Sequence, residues 1–164
     1  MKVTVDKSVW EKMKKNMLAA SNIEGRLGWF PEDVYGADNN NLPMAYIAML
    51  NEEGHINGPD SLVPGAITPP RPFMRVNLRA ALKSGSNDKE FRAMVQAVVD
   101  GKSIMKPLQA AGNEFQNTLR KVMLDFSNPP NAPLTVEMKG FNDPLRDTSQ
   151  LIANVNYKVA KRNS

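Results

Sequence analysis

Apolar residues change their period twice within the first thirty positions. Lys2 to Val5 alternates polar and apolar, which predicts a short strand. Trp10, Met13, Met17 and Ala20 then step by three and four, one stripe of a helix that Asp6 or Ser8 would cap, and Trp10 and the methionines read as core filling. From Ile23 to Trp29 the odd positions carry Ile23, Gly25, Leu27 and Trp29 against Glu24, Arg26 and Gly28, which predicts a half-buried strand. Its two glycines suit a bulge or a close backbone contact.

Beyond this opening, residues 31–41 hold Gly36, Asp38 and Asn39, Asn40 and Asn41, residues that favour turns, so a loop is expected. A short helix follows over 42–52. The stretch 54–70 carries Gly54, Gly58, Gly65, Pro59, Pro64, Pro69 and Pro70 and reads as a long irregular segment, a length that inside compact domains usually carries function or disorder. Helices are expected over 73–83, 88–100 and 107–126. The last shows Leu108, Ala111, Phe115, Leu119, Val122 and Phe126 on one face. Asn128 to Pro133, "NPPNAP", stops it, and a turn-rich stretch follows. Asp147-Thr-Ser-Gln150 has the form of a capping box, with Asp147 as the N-cap of a short helix. Val155, Tyr157 and Val159 alternate with Asn154, Asn156 and Lys158 in a final strand. The expected architecture is one α+β domain over 1–164. A small, mostly antiparallel sheet, made from the N-terminal strands and the C-terminal strand, packs against several helices, with long loops over 31–41 and 54–70.

Composition narrows the class without naming a function. The 164 residues are 41% hydrophobic and 23% charged, the profile of a soluble globular chain. No apolar run approaches the ~20 residues of a membrane span, Met1 to Val9 lacks the apolar core of a secretory signal, and no membrane partner is expected. With no cysteine, disulfides and thiolate chemistry are excluded. Twenty-one Lys and Arg against seventeen Asp and Glu leave +4, with the cations scattered except at Lys12, Lys14, Lys15 and at Lys158, Lys161, Arg162. Solvated faces explain that better than a nucleic-acid groove.

Candidate chemistry is sparse. His55 is the one histidine, so a zinc site would need several carboxylates around it, and no such spacing exists. Glu52 and Glu53 are adjacent on a helix and read as a solvated helix end rather than as an acid and base pair. Ser61 lies outside any nucleophile elbow, and Gly25 and Gly28 do not form a phosphate-binding loop. The expectation is no enzyme, no metal and no cofactor.

One segment calls for a different explanation. In "ITPPRPFMR", Ile67 to Arg75, three prolines fix an extended lead-in to a helix. Such rigidity either orients the helix on its own core or holds Arg71 and Phe73 ready for a partner at little entropic cost. Taken with "AYIAMLNEEGHINGP", Ala45 to Pro59, and "NAPLTVEMKGFNDPLRDTSQLIANVNYKV", Asn131 to Val159, the segment resembles, in order and spacing, the small virion morphogenesis proteins of tailed bacteriophages: minor tail, tail-completion and head-tail joining proteins of the neck. The resemblance covers most of the chain from Gly28 onward. Matching positions are Ala45, Tyr46, Ile47, Pro70, Arg71, Pro72, Phe73, Lys139, Gly140, Pro144, Leu145, Asp147, Thr148 and Leu151. Ser149 departs, because the family usually has glycine there, and the departure points away from a left-handed backbone and toward a plain helix start.

That resemblance implies a virion protein, made in the host cytoplasm, that forms a closed homo-oligomeric ring, commonly of six. The ring would lie between neighbouring neck, portal-adaptor or tail-tube proteins and let DNA pass through its lumen without sequence readout. Interface candidates are Pro70, Arg71, Pro72, Phe73, Arg75, Pro144 and Asp147. Phe73 would enter the core while Arg71 meets a neighbouring chain or the chain's own carboxy-terminal turn at Asp147. The rival reading of the "PPRPF" segment is a purely internal strut. The rival function is a nucleic-acid-binding protein without sequence preference, whose affinity falls steeply with salt.

Overall fold

A computed structural model describes residues 7–61, 63–84 and 88–162; the strand expected over Lys2 to Val5 lies outside them. The fold is α+β. In chain order the elements are α1 (Ser8–Ser21), β1 (Ile23–Gly28), a single 3-10 turn (Ala37–Asn39), α2 (Met44–Glu53), β2 (His55–Ile56), β3 (Ile67–Thr68), α3 (Phe73–Ser84), α4 (Asp88–Asp100), α5 (Met105–Leu124), α6 (Pro133–Lys139), α7 (Gln150–Ala153) and β4 (Asn156–Lys161). Strand β1 pairs with β4, as the terminal-strand expectation required. A second antiparallel pair, β2 with β3, sets His55 opposite Thr68 and Ile56 opposite Ile67. This hairpin sits in the segment expected to be irregular. Its two-residue strands are too short to show a period.

The chain divides into two compact units. One comprises Met1–Leu27, Gly85–Glu114 and Tyr157–Ser164, the other Gly28–Ser84 and Phe115–Asn156. We call them the split unit and the central unit.

The central unit has a dense core. Phe73, Leu119, Met123 and Val155 are fully enclosed, with Met44, Ala48, Leu145, Leu151 and Ile152 also buried. Trp29 meets Phe73 edge-to-face, ring centroids 6.1 Å apart and 84° between planes, and its indole N–H donates to the Leu151 carbonyl at 2.8 Å. Side chains of α5 also secure the carboxy-terminal segment. Gln116 Nε2 donates to the Val155 carbonyl at 2.8 Å, and Arg120 Nη2 to Ala153 and Val155 at 2.9 and 2.7 Å. Helix α6 falls within the stretch expected to be turns; Pro133 opens it at the one helical position where a missing amide hydrogen costs nothing.

The split unit is put together differently. Helix α1 lies against α4, with Asn16 Nδ2 donating to the Val98 carbonyl at 2.9 Å. Helix α4 ends in a Schellman turn: the Lys102 amide donates to Ala97 at 2.7 Å and the Gly101 amide to Val98 at 3.2 Å, with Gly101 at φ 73°. Tyr157 on β4 fills the space over two glycines. A Cβ at Gly25 on β1 or at Gly112 on α5 would overlap the Tyr157 side chain, so these two glycines serve close approach. The α1 stripe is not core. Trp10 and Met17 are each 54% exposed, and α1 has no buried residue.

Candidate functional site

The rigid lead-in makes several bonds within its own chain. Prolines at 69, 70 and 72 leave the start of α3 without the Ser, Thr, Asp or Asn that usually caps a helix. The cap comes from α2 instead. Glu52, only 7% exposed, accepts from the amides of Met74 at 2.9 Å and Arg75 at 3.2 Å, satisfying two orphan donors of the first turn. Arg75 folds back to the same pair of acids, Nε to Glu52 at 3.0 Å and Nη2 to Glu53 at 2.6 Å. Glu52 is therefore not part of a solvated helix end, which corrects the expectation. Glu53 stays exposed. Gly54, at φ 73°, lets the chain leaving α2 pass directly against the backbone of Thr68 to Pro70, where a Cβ would strike main-chain atoms.

Arg71 is 7% exposed. Its amide donates to the Asn51 carbonyl at 2.7 Å. The guanidinium donates through Nη1 to Asn51 Oδ1 at 3.1 Å, and through Nη2 to Asn131 Oδ1 at 3.3 Å and the Pro130 carbonyl at 3.5 Å. Its hydrogen-bond acceptors are thus all neutral, and Asp147 is not among them, contrary to the pairing expected. Burial pulls the guanidinium below its ordinary pKa. Asn131 is itself placed by a 2.9 Å bond from its amide to Asn142 Oδ1. Arg71 thus joins α2, the lead-in and the segment before α6. Phe73 enters the core as expected, and the bonds of Arg71 are those of an internal strut, while Pro70 and Arg75 remain exposed.

Asp147 and Pro144 lie elsewhere in the central unit. With Tyr35, Asn39, Lys139 and Arg146 they line a cleft of about 260 Å³. Pro144 is buried and Asp147 exposed. The Tyr35 hydroxyl is shifted up, first by burial and then by the Asp147 charge. Lys139 is shifted down, chiefly by burial, while its Nζ donates to the Asp143 carbonyl at 2.9 Å. Lys139 and Arg146 both stand over the Phe141 ring, at 5.0 and 5.5 Å from its centroid. Asp147 caps no helix. The residue before α7 is Ser149, at φ 63° and without a side-chain cap bond, so the plain helix start expected there is replaced by a left-handed residue.

Features considered for catalysis remain isolated. His55 Nδ1 lies 3.3 Å from the Leu50 carbonyl, and the Ser61 hydroxyl donates to Gly58 at 2.8 Å. Among the described residues no group of three or more His, Cys, Asp or Glu side chains is placed to hold a metal, and no helix is long and apolar enough to cross a membrane. The features that sequence reasoning missed are the Glu52 cap and the Asn51 and Asn131 acceptors. A helix start with prolines and no capping residue was the available signal that an acid from elsewhere must serve it.

Compared with known proteins, the chain matches no family model, and no characterised protein or solved structure resembles it significantly.

Proposed function

We propose that this chain is a structural subunit of a tailed-bacteriophage virion. It acts at the head-tail junction as a neck, tail-completion or tail-terminator protein, in a ring that joins or closes head and tail and lets DNA pass. The observation that carries the reading is the uneven burial of apolar residues. The split unit exposes Val9, Trp10, Met17 and Leu18 on α1, and Phe91, Val95 and Val99 at i, i+4 and i+8 on α4. Its described buried hydrophobic residues are Ala97 and Ala111 alone. A unit built this way gains its burial by assembly rather than by folding, as a ring subunit does. A ring further needs two different patches on each copy, and the α1 and α4 surfaces can serve as such a pair.

The Ser149 backbone fits the phage resemblance. The backbone conformation that glycine accepts most readily lies at the one motif position where the family carries glycine and this chain does not.

Light scattering on the purified chain, alone and mixed with tailless heads or with free tails, tests the proposal. A defined oligomer, or a monomer that joins one of the two structures, is expected. A monomer indifferent to both would contradict it.

A further inference from the structure

The net charge of +4 conceals a division. The split unit holds thirteen Lys and Arg against seven Asp and Glu, a net of +6; the central unit holds eight against ten, a net of −2. Such asymmetry between parts of one chain points to a polyanionic partner for the basic part. All of the split unit's Lys and Arg from Lys7 to Arg162 are exposed.

Scattered in sequence, several of these cations meet at one groove. A cavity of about 470 Å³ lies between the second half of α1, the start of β1, the turn from α4 to α5 and the end of β4. Lys102 and Lys161 line it with the polar side chains of Asn16, Asn22 and Ser103. The Schellman turn places Lys102, and at its Gly101 stands the side chain of Lys12. At the other edge the Arg162 amide donates to the Asn22 carbonyl at 2.6 Å, which ties the end of β4, and with it Lys161, to the residue before β1. Asp100 offsets part of this charge through its 2.9 Å pair with Lys102. Three cations, Lys12, Lys102 and Lys161, against one carboxylate leave the groove positive.

Its chemistry favours phosphate over bases. Lysine is a compact, strongly hydrated charge on a flexible stem, suited to charge contact rather than to fixed bidentate recognition. Among the described residues no aromatic lines the groove, so they offer no platform on which an unpaired base could stack. We propose that the split unit, through the groove carrying Lys102 and Lys161, binds the phosphate backbone of double-stranded DNA without reading its bases. The choice of DNA among polyanions rests on the virion reading above; the basic groove does not.

Fluorescence anisotropy with two short duplexes of unrelated sequence tests this on the full chain across a salt series. Both duplexes are expected to bind equally, with affinity falling linearly in log salt. Lys102→Ala with Lys161→Ala should weaken binding at low salt about tenfold or more and reduce the slope by about two, close to one for each phosphate left without its lysine. Lys102→Arg with Lys161→Arg should keep the charge and the binding, which separates removal of the charge from damage to the fold. Arg79→Ala with Lys83→Ala, on α3 of the central unit, should leave affinity unchanged. Absence of binding at low salt, binding indifferent to the groove alanines, or tighter binding to vesicles of anionic phospholipid would each overturn the inference. Loss of DNA binding in a chain that still joins heads or tails would sink this inference alone. DNA binding by a chain indifferent to both would sink the virion reading alone.

Discussion

Phe73, Leu119, Met123 and Val155 are sealed inside the central unit, while the split unit leaves Trp10, Met17, Phe91 and Val95 in solvent and encloses alanines. Fully burying a side chain of the first kind is worth about 1.5–3 kcal/mol, so the central unit has its own driving force for folding and the split unit has little. The split unit devotes its sequence to surface instead, with exposed apolar stripes on two helices and a net charge of +6. The contrast assigns the parts different tasks. On the reading proposed above, one holds the chain's shape and the other meets partners.

The comparison breaks most visibly at Phe73. Phe73→Ala should destabilise the chain by about 3–5 kcal/mol in urea denaturation, because it leaves a cavity beneath Trp29. Trp10→Ala, also a large aromatic truncation, should change the stability of the unassembled chain by no more than about 0.5 kcal/mol and weaken self-association or attachment to heads or tails. Equal losses of stability would erase the distinction between the units.

A second test sharpens the account of the split unit. Gly112→Ala, which drives a methyl into the Tyr157 ring, should cost about 1–3 kcal/mol by thermal melting, and Gly112→Ala combined with Tyr157→Val should recover much of the loss. No cost in the single variant would mean that the ring moves aside.

Glu52→Gln keeps the size of the side chain but removes its charge, weakening the acceptor for the Met74 and Arg75 amides and for Arg75 Nε. A loss of about 1–2 kcal/mol is expected by urea denaturation. A neutral result would show that water can replace the cap. Ser149→Gly has the smallest effect and the opposite sign. Release of the left-handed strain should stabilise the central unit by up to about 1 kcal/mol, read as a higher melting temperature. A lower melting temperature would mean that the serine side chain contributes more than the strain costs.

What could be read from the sequence was local. The periods read over 23–29 and 107–126 placed β1 and α5 to within two residues, because helix and strand spacing are written in neighbouring residues. What covers each stripe is not written there. The α1 face has core spacing and is exposed, since period reports amphipathicity and not the identity of the partner. The Glu52 cap joins residues more than twenty positions apart, and Arg71 reaches Asn131 across sixty. Neither pairing leaves a local trace beyond the missing cap before Phe73. Helix α6 was hidden by the prolines on its approach, although Pro133 at the first helical position was a signal in favour of it. The left-handed backbone at Ser149 runs against residue preference, so the local sequence pointed to a plain helix start instead.

Amide hydrogen exchange on the monomeric chain and on the assembled form would test most directly whether the split unit is completed by a partner. The account predicts that α1 and α4 exchange fast in the monomer, by opening well below the free energy of global unfolding, and become protected on assembly, while α2 and the Leu119 region of α5 are slow in both. Equal protection of both units in the monomer, unchanged on assembly, would contradict it.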